Sequence, residues 1–313
     1  MSYRTCVLGV GRLIMSTLNN SETFIEGKDQ IARKAVKDIR DIATLPEIAI
    51  KIIKLVEDPN STAQDLNNII TNDPALGARI LKVVNSAFYG LPGQVGSINR
   101  AIVLLGLNAV KNIVVAASLA KLFRGGQVCE NFNARDLWAH SIAVATATKQ
   151  LAGRMDIGSP DEAFLAGLIH DLGIMVEVQA RPAKFVQAFE MFSANPSATL
   201  RDAEQAVIGA THEDFGAALC RQWKFPLSLI HVTGYHHRPL ELPPVDRNLA
   251  SLVHVADFVA AGADQGCKHT IEGDGIEPAV LESLQLTPRI VQEVIDCLPE
   301  SMGESDCFLK DAA

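Results

Sequence analysis

From Lys28 to about Ala263, apolar positions recur at three- and four-residue spacing, the period that buries one face of a helix. Leu45-Pro46-Glu47 opens a helix whose inward face is Ile48, Ile52, Ile53, Leu55 and Val56, with Pro46 suited to a first turn. Asp58 to Ser61 ends it. Ser61 or Thr62 caps the next helix, which turns Leu66, Ile69 and Ile70 inward, and Asp73-Pro74 restarts the chain into Leu76, Ile80, Leu81 and Val84. Asn85 to Gly90 reads as a turn and Leu91 to Gly96 as a loop. Ser97 then caps a helix through Leu105, and Asn108 to Phe123 forms a more apolar partner, hinged at Gly106.

Beyond Gly125-Gly126 the pattern resumes as a helix from Asp136 to Leu151. Ser159-Pro160 caps a central helix that contains Ala163 to Ile174, AFLAGLIHDLGI. Arg181-Pro182 breaks the chain, and further helices run through Phe185 and Phe189, Thr199 to Ile208, His212 to Trp223, Pro226 to His237 and Leu249 to Ala263. Neither a repeat of fixed length nor strand alternation occurs. The expectation is an all-α, multi-helix bundle without significant sheet. Its organisation reads as a leader over 1–27, a main domain over 28–263 (helical subdomain about 28–124, second subdomain about 130–263) and an extension over 264–313 with one helix, Thr287 to Leu298.

Composition narrows the class. The 313 residues are 48% hydrophobic and 20% charged, enough for a substantial core. A formal net charge of -8 argues against general nucleic-acid binding through phosphate contacts. The six cysteines are scattered, without CxxC pairs, and read as reduced thiols of a cytoplasmic protein. Arg12 interrupts the apolar patch from Cys6 to Met15, so no signal peptide is expected, and no uninterrupted apolar stretch of about 20 residues suggests a membrane span.

The candidate chemistry starts where the central helix stops being apolar. His170 and Asp171 follow Phe164, Leu165, Leu168 and Ile169, and burying a polar group without partners costs on the order of 2–7 kcal/mol. Either the pair satisfies itself or something else meets it there. His140, His212, His236-His237 and Asp257 offer that something, since imidazole and carboxylate together suit divalent Fe, Mn, Zn or Ni. Ligands spread over five helices can meet only through tertiary folding, so spacing alone leaves both readings open. Asp136, one turn before His140, is a weaker eighth position. His254 fits a supporting role, His231 a half-buried or surface position, His269 an exposed one; Trp138 and Trp223 fit the core. Phe88 and Tyr89 fit either a partner-facing edge or a core anchor. Gly173 fits a helix stop or a close contact.

The order of residues resembles a known family. LPEIAIKIIKLVEDPNSTAQDLNNIITNDPALGARILKVVNSAFYG and INRAIVLLGLNAVKNIVVAASLAKLF, with DPAL, the Asn85-Ser86 turn and AIVLLGLNAV, resemble the first half of the HDOD domain, an all-helical bacterial module related to the HD phosphohydrolases. The resemblance runs from about Ile39 to His237 and implies a signal-transduction module acting through protein contacts. His140, His170-Asp171 and Asp257 match the HD order. His212 to Gly216 and His236-His237 match the extra ligand segments of the HD-GYP relatives, which hold two or three metal ions and hydrolyse cyclic di-GMP. The implied cofactor is one or two divalent metal ions on His140, His170, Asp171, His212, His236, His237 and Asp257.

Two departures from the HD-GYP pattern matter. Ile174 stands where those relatives carry a phosphate-positioning lysine, and Arg238 to Leu242 replaces the GYP segment. Lys149, Arg154 or Arg238 would have to substitute. The sequence therefore predicts a regulatory module with a metal site and a protein partner in a signalling pathway. The alternative is a metal-dependent phosphohydrolase or cyclic-dinucleotide phosphodiesterase, for which a nucleotide would be the ligand.

Overall fold

The computed structural model describes residues 27–39, 50–52, 54–55, 60–86, 89, 91–123, 126–264, 267, 269–271 and 275–304. The leader before residue 27, the helix opening at Leu45 to Ile48, and Ile53, Val56 and Phe88 lie outside them. The remaining predicted elements are helices. The first half comprises α1 (27–38), α2 (Ala63–Thr71), α3 (Pro74–Val84), α4 (Ile98–Leu105) and α5 (Leu107–Leu119). Three of the predicted start signals operate through their side chains, whereas Ser159 makes no side-chain cap bond on the helix that Pro160 opens. Thr62 and Asp65 form a reciprocal capping box on α2, Asp73 accepts from the Leu76 N–H to start α3, and Ser97 accepts from Arg100 to start α4.

A short antiparallel ribbon, β1 (Gln127–Cys129) with β2 (Phe132–Asn133), joins the halves. It is too short to have shown as alternation. The second half is α6 (Ala134–Met155), α7 (Pro160–Ile169), α8 (Leu172–Ala180), α9 (Pro182–Ser193), α10 (Leu200–Val207), α11 (His212–Gln222), α12 (Leu227–Tyr235) and α13 (Asn248–Gly262). The chain after Ala263 carries two described helices, α14 (Pro278–Ser283) and α15 (Pro288–Glu304), where one was expected. The brevity of α14 hid it. α15 buries Val294 and Leu298 against α6 and α13, so the extension is part of the core.

α6 is the axis of the second half, packed by α7, α13 and α15. A Cβ at Gly167 would stand 2.7 Å from the Ala145 Cα and 2.8 Å from the Thr148 hydroxyl, so only glycine allows α7 this close to α6. Pro160–Ala180 is apolar and long enough to cross a membrane by length and composition, and 83% of its most apolar window is buried inside the protein. The four described cysteines, Cys129, Cys220, Cys267 and Cys297, are free thiols.

Candidate metal centre

The sequence placed His170-Asp171 on one central helix. The structure breaks that helix at the pair, with α7 ending at Ile169, α8 beginning at Leu172, and Asp171 outside helical geometry at φ -98° and ψ 13°. The break turns both side chains inward. Gly173 is therefore a close-contact residue and not a stop. A Cβ there would run into the His212 carbonyl oxygen and approach the Gly216 nitrogen at 2.7 Å, so its bare backbone seats α8 on the start of α11.

This seat brings the seven predicted residues together. Asp171 lies at the centre, its Oδ2 3.2 Å from His170 Nε2 and 3.9 Å from His140 Nε2. Its Oδ1 is 3.3 Å from His236 Nε2 and 3.7 Å from His212 Nε2. Asp257, from α13, reaches His140 Nε2 at 3.0 Å, and His212 and His237 face each other Nε2 to Nε2 at 3.0 Å. Potential ligand atoms fall into two groups within 4.8 Å of one another, Asp171 with His212, His236 and His237, and Asp171 with His140 and His170. Asp171 is common to both. His237 is half-buried and the other six residues are buried. Asp136 is exposed and belongs to neither group.

The protonation pattern argues for a cation among them. A carbonyl oxygen can only accept, so His170 donates from Nδ1 to the Gly167 carbonyl at 2.7 Å, and His236 donates from Nδ1 to Val232 at 3.2 Å. In its neutral form each ring would then aim an Nε2 lone pair at the oxygens of Asp171, 3.2 and 3.3 Å away. His170 Nε2, His236 Nε2, both Asp171 oxygens and Asp257 Oδ1 are buried without a hydrogen bond of proper geometry. Lone pairs converging in a dry interior need a proton or a metal ion between them. The donor set, imidazole nitrogen and carboxylate oxygen around a shared aspartate, fits divalent transition metals.

Without metal, protons serve in part. Burial opposes charge on Asp171, yet His170, His236 and His212 outweigh it and hold the carboxyl well below its ordinary value. Burial likewise opposes charge on Asp257, which the His140 contact pulls below the usual range. His212 is pushed up to about 9, because Glu204 overcomes the burial that would otherwise lower it. Burial lowers His236, and burial with the neighbouring His236 and His212 drives His237 well below 6.5.

Three buried acids around the centre were not found from sequence. Glu204 accepts from the backbone N–H of His212 at 2.9 Å and from its Nδ1–H at 2.9 Å. Glu213, adjacent to His212, accepts from the His237 N–H at 3.2 Å and from Arg238 Nε at 3.0 Å, with Arg201 Nε also at 3.0 Å. Glu177 is wholly buried on α8. Its signal was of the kind that marked His170-Asp171, a lone ionisable residue in the apolar run Gly173 to Val178. Glu204 and Glu213 stand in polar surroundings that give no local sign of burial.

His254 donates from Nδ1 to the His236 carbonyl at 2.8 Å and so supports that residue through its backbone. His231 is half-buried against Tyr235. His269 departs from expectation: its ring packs edge-on against Phe189 and Phe192, at 5.3 and 6.1 Å, because the chain after α13 folds back over α9. Trp138 packs on Phe123 and Trp223 on Phe225. Tyr89 is half-buried beneath the Lys149 ammonium. Ile174 is fully buried in the core. Lys149 turns to Asp161 at 3.5 Å and Arg154 to Gln150, whereas Arg238, beside His237, is held by Glu213 and Glu241.

Comparison with known proteins agrees with this architecture. The HDOD domain family matches residues 42–239. An HDOD domain protein of unknown function from Geobacter sulfurreducens superposes with a TM-score of 0.77 at 24% identity, covering 90% of this chain and 98% of that one. A signal transduction protein, so named provisionally, from Marinobacter aquaeolei VT8 gives 0.74 at 24% identity, covering 91% and 66%. A protein from Shewanella amazonensis SB2B provisionally named a phosphohydrolase gives 0.71 at 23% identity, covering 90% and 98%. At these identities the likeness establishes the fold. The chain spans 44% of the length of a curated relative it matches, an uncharacterized protein of Treponema pallidum (strain Nichols), 25% identical over 235 residues.

Proposed function

Since the chain belongs to the HDOD domain family, we propose that it is a signal-transduction module built on a divalent-metal centre and acting through protein contacts in the cytoplasm. The observation that carries this reading is the enclosure of the centre. Six of the seven residues that would hold the ions are buried, and the seventh, His237, is half-buried. Metal hydrolases instead keep a coordination position open to water and substrate. His140, His170 and Asp171, with Asp257 beside His140, would hold one ion, and Asp171, His212, His236 and His237 a second. A bound metal would supply the positive charge that the converging lone pairs lack and tie α6, α7, α8, α11, α12 and α13 at one point.

The charges around the centre support the same reading. A phosphoryl substrate needs cationic groups that can turn to its oxygens. Ile174 supplies none, Lys149 faces Asp161, and Arg238 is engaged by two carboxylates. The second reading, a metal-dependent phosphohydrolase, rests on the sharing of Asp171 between two ligand groups, an arrangement suited to a two-metal centre. Its ligand would be a nucleotide. The deciding experiment measures the metal content of protein purified without chelator, then assays cyclic dinucleotides and a generic phosphodiester. Bound metal without turnover is expected. Metal-dependent turnover would establish the second reading, and folded protein that takes up no metal would remove both.

A further inference from the structure

The chain after α13 reaches the centre from beyond the family match, which ends at residue 239. Cys267 and Thr270 are buried there, and His269 anchors the same stretch with its ring against Phe189 and Phe192. Thr270 is only 1% exposed. Its hydroxyl oxygen stands 3.5 Å from His140 Nε2, the ring nitrogen that also faces Asp257 Oδ1 at 3.0 Å. A residue that is neither histidine nor acid thus faces the first ligand group.

The spacing is wrong for a hydrogen bond and right for a shared ion. An ordinary hydrogen bond would draw oxygen and nitrogen to about 2.7–3.2 Å, and the 3.5 Å separation falls short of that. Neighbouring donors on one ion, each about 2.0–2.2 Å from it in tetrahedral or octahedral geometry, lie about 2.8–3.6 Å apart. Thr270 and His140 keep such a distance. So do Asp257 Oδ1 and His140 Nε2 at 3.0 Å, and His170 Nε2 and Asp171 Oδ2 at 3.2 Å. Asp257 Oδ1 and both Asp171 oxygens are buried without a hydrogen bond of proper geometry, so the Thr270 hydroxyl is not spent on the acids beside it.

We propose that Thr270 is a further ligand of the ion held by His140, His170, Asp171 and Asp257, its hydroxyl oxygen filling the position that a metal hydrolase leaves to water. A neutral hydroxyl adds an oxygen donor and no charge. With that position taken, no water stands there to be activated as a nucleophile. The proposal rests on the reading of the centre as a metal site and adds the residue that seals one of its ions from the C-terminal extension.

The test loads the metal-stripped full chain with Mn2+ and follows calorimetry together with water-proton relaxation, which counts exchangeable waters on the bound ion. Melting of each stripped variant is the fold control. Thr270→Ser keeps the hydroxyl and should match the unaltered chain in both measurements. Thr270→Ala lets water into the vacated position, so relaxation per bound Mn2+ should rise by the contribution of one water. Thr270→Val keeps the shape without the oxygen and should weaken one Mn2+ equivalent about five- to tenfold, the scale of one neutral polar contact. Unaltered relaxation in Thr270→Ala, unaltered affinity in Thr270→Val, or a Ser variant that behaves like Ala would overturn the proposal. Should the Val variant not fold, a rise in Thr270→Ala that is absent from Thr270→Ser supports it, and the same reading in both overturns it. An unaltered chain that binds no Mn2+ overturns the metal reading itself, whereas an unaltered chain that binds alongside indifferent variants overturns this inference alone.

Discussion

The two halves of the molecule use polar side chains in opposite ways. Between α3 and α4 Asn85 is solvent-exposed and replaces missing backbone partners: its amide donates to the carbonyls of Leu81 and Val95 at 2.8 and 2.9 Å, and its oxygen accepts from the Val95 N–H at 2.6 Å. Every one of these bonds closes a turn. In the second half Asp171 is buried among His140, His170, His212 and His236, and its oxygens complete no hydrogen bond of proper geometry. The first arrangement is finished by the protein alone; the second leaves converging lone pairs that a proton or a divalent cation would have to bridge.

Replacing Asp171 with Ala should therefore break the comparison most severely. It removes the carboxylate common to both ligand groups and leaves the histidines facing one another, a loss of about 3–5 kcal/mol for one member of a buried charged set. Metal content and melting temperature should fall together, measured by elemental analysis and calorimetry on one preparation. A variant that keeps full metal content would show that Asp171 is not a ligand.

Gly173→Ala should come next, through backbone. The added methyl meets the His212 carbonyl oxygen, so α8 must move off α11 or the chain must strain, at a cost of about 2–4 kcal/mol. Metal affinity should drop although no ligand has been touched. Asn85→Ala should cost less, about 1–3 kcal/mol for its turn-closing bonds, and should leave metal content unchanged. Melting curves with and without chelator separate the two variants. Equal metal loss in both would mean that the halves are not independent in the way their hydrogen bonding suggests.

The same contrast governs what the sequence reveals. Caps such as Thr62, Asp73 and Ser97 act within three residues of their partners, so local pattern discloses them. The candidate ligand residues were visible because histidine and aspartate interrupt apolar helices, and their joint meaning came from the order of the set. What stayed hidden depends on contacts across the fold. The break between His170 and Leu172 accompanies the docking at Gly173, Glu204 is buried against His212 at the start of α11, and Glu213, on α11 itself, is buried against His237 and Arg238. The ring packing of His269 needs a chain reversal that no neighbouring residue signals.

The smallest effect, in pH, sharpens the comparison further. In the metal-free chain the pKa of His212 rises from 6.5 to about 9 through Glu204, against the burial that would lower it. A raised folded value means that this group's stabilisation is complete below 6.5 and is lost as pH climbs through about 9, a difference of roughly 3 kcal/mol. Metal reverses the sign, since an ion needs the unprotonated Nε2 and must displace that proton. Apparent metal affinity limited by this proton should rise by up to about tenfold per pH unit until about 9 and then level off. Stripped and loaded chains should thus show opposite slopes of melting temperature between pH 6.5 and 9, while the decrement caused by Asn85→Ala stays constant. Parallel slopes would mean that proton and metal do not compete for His212.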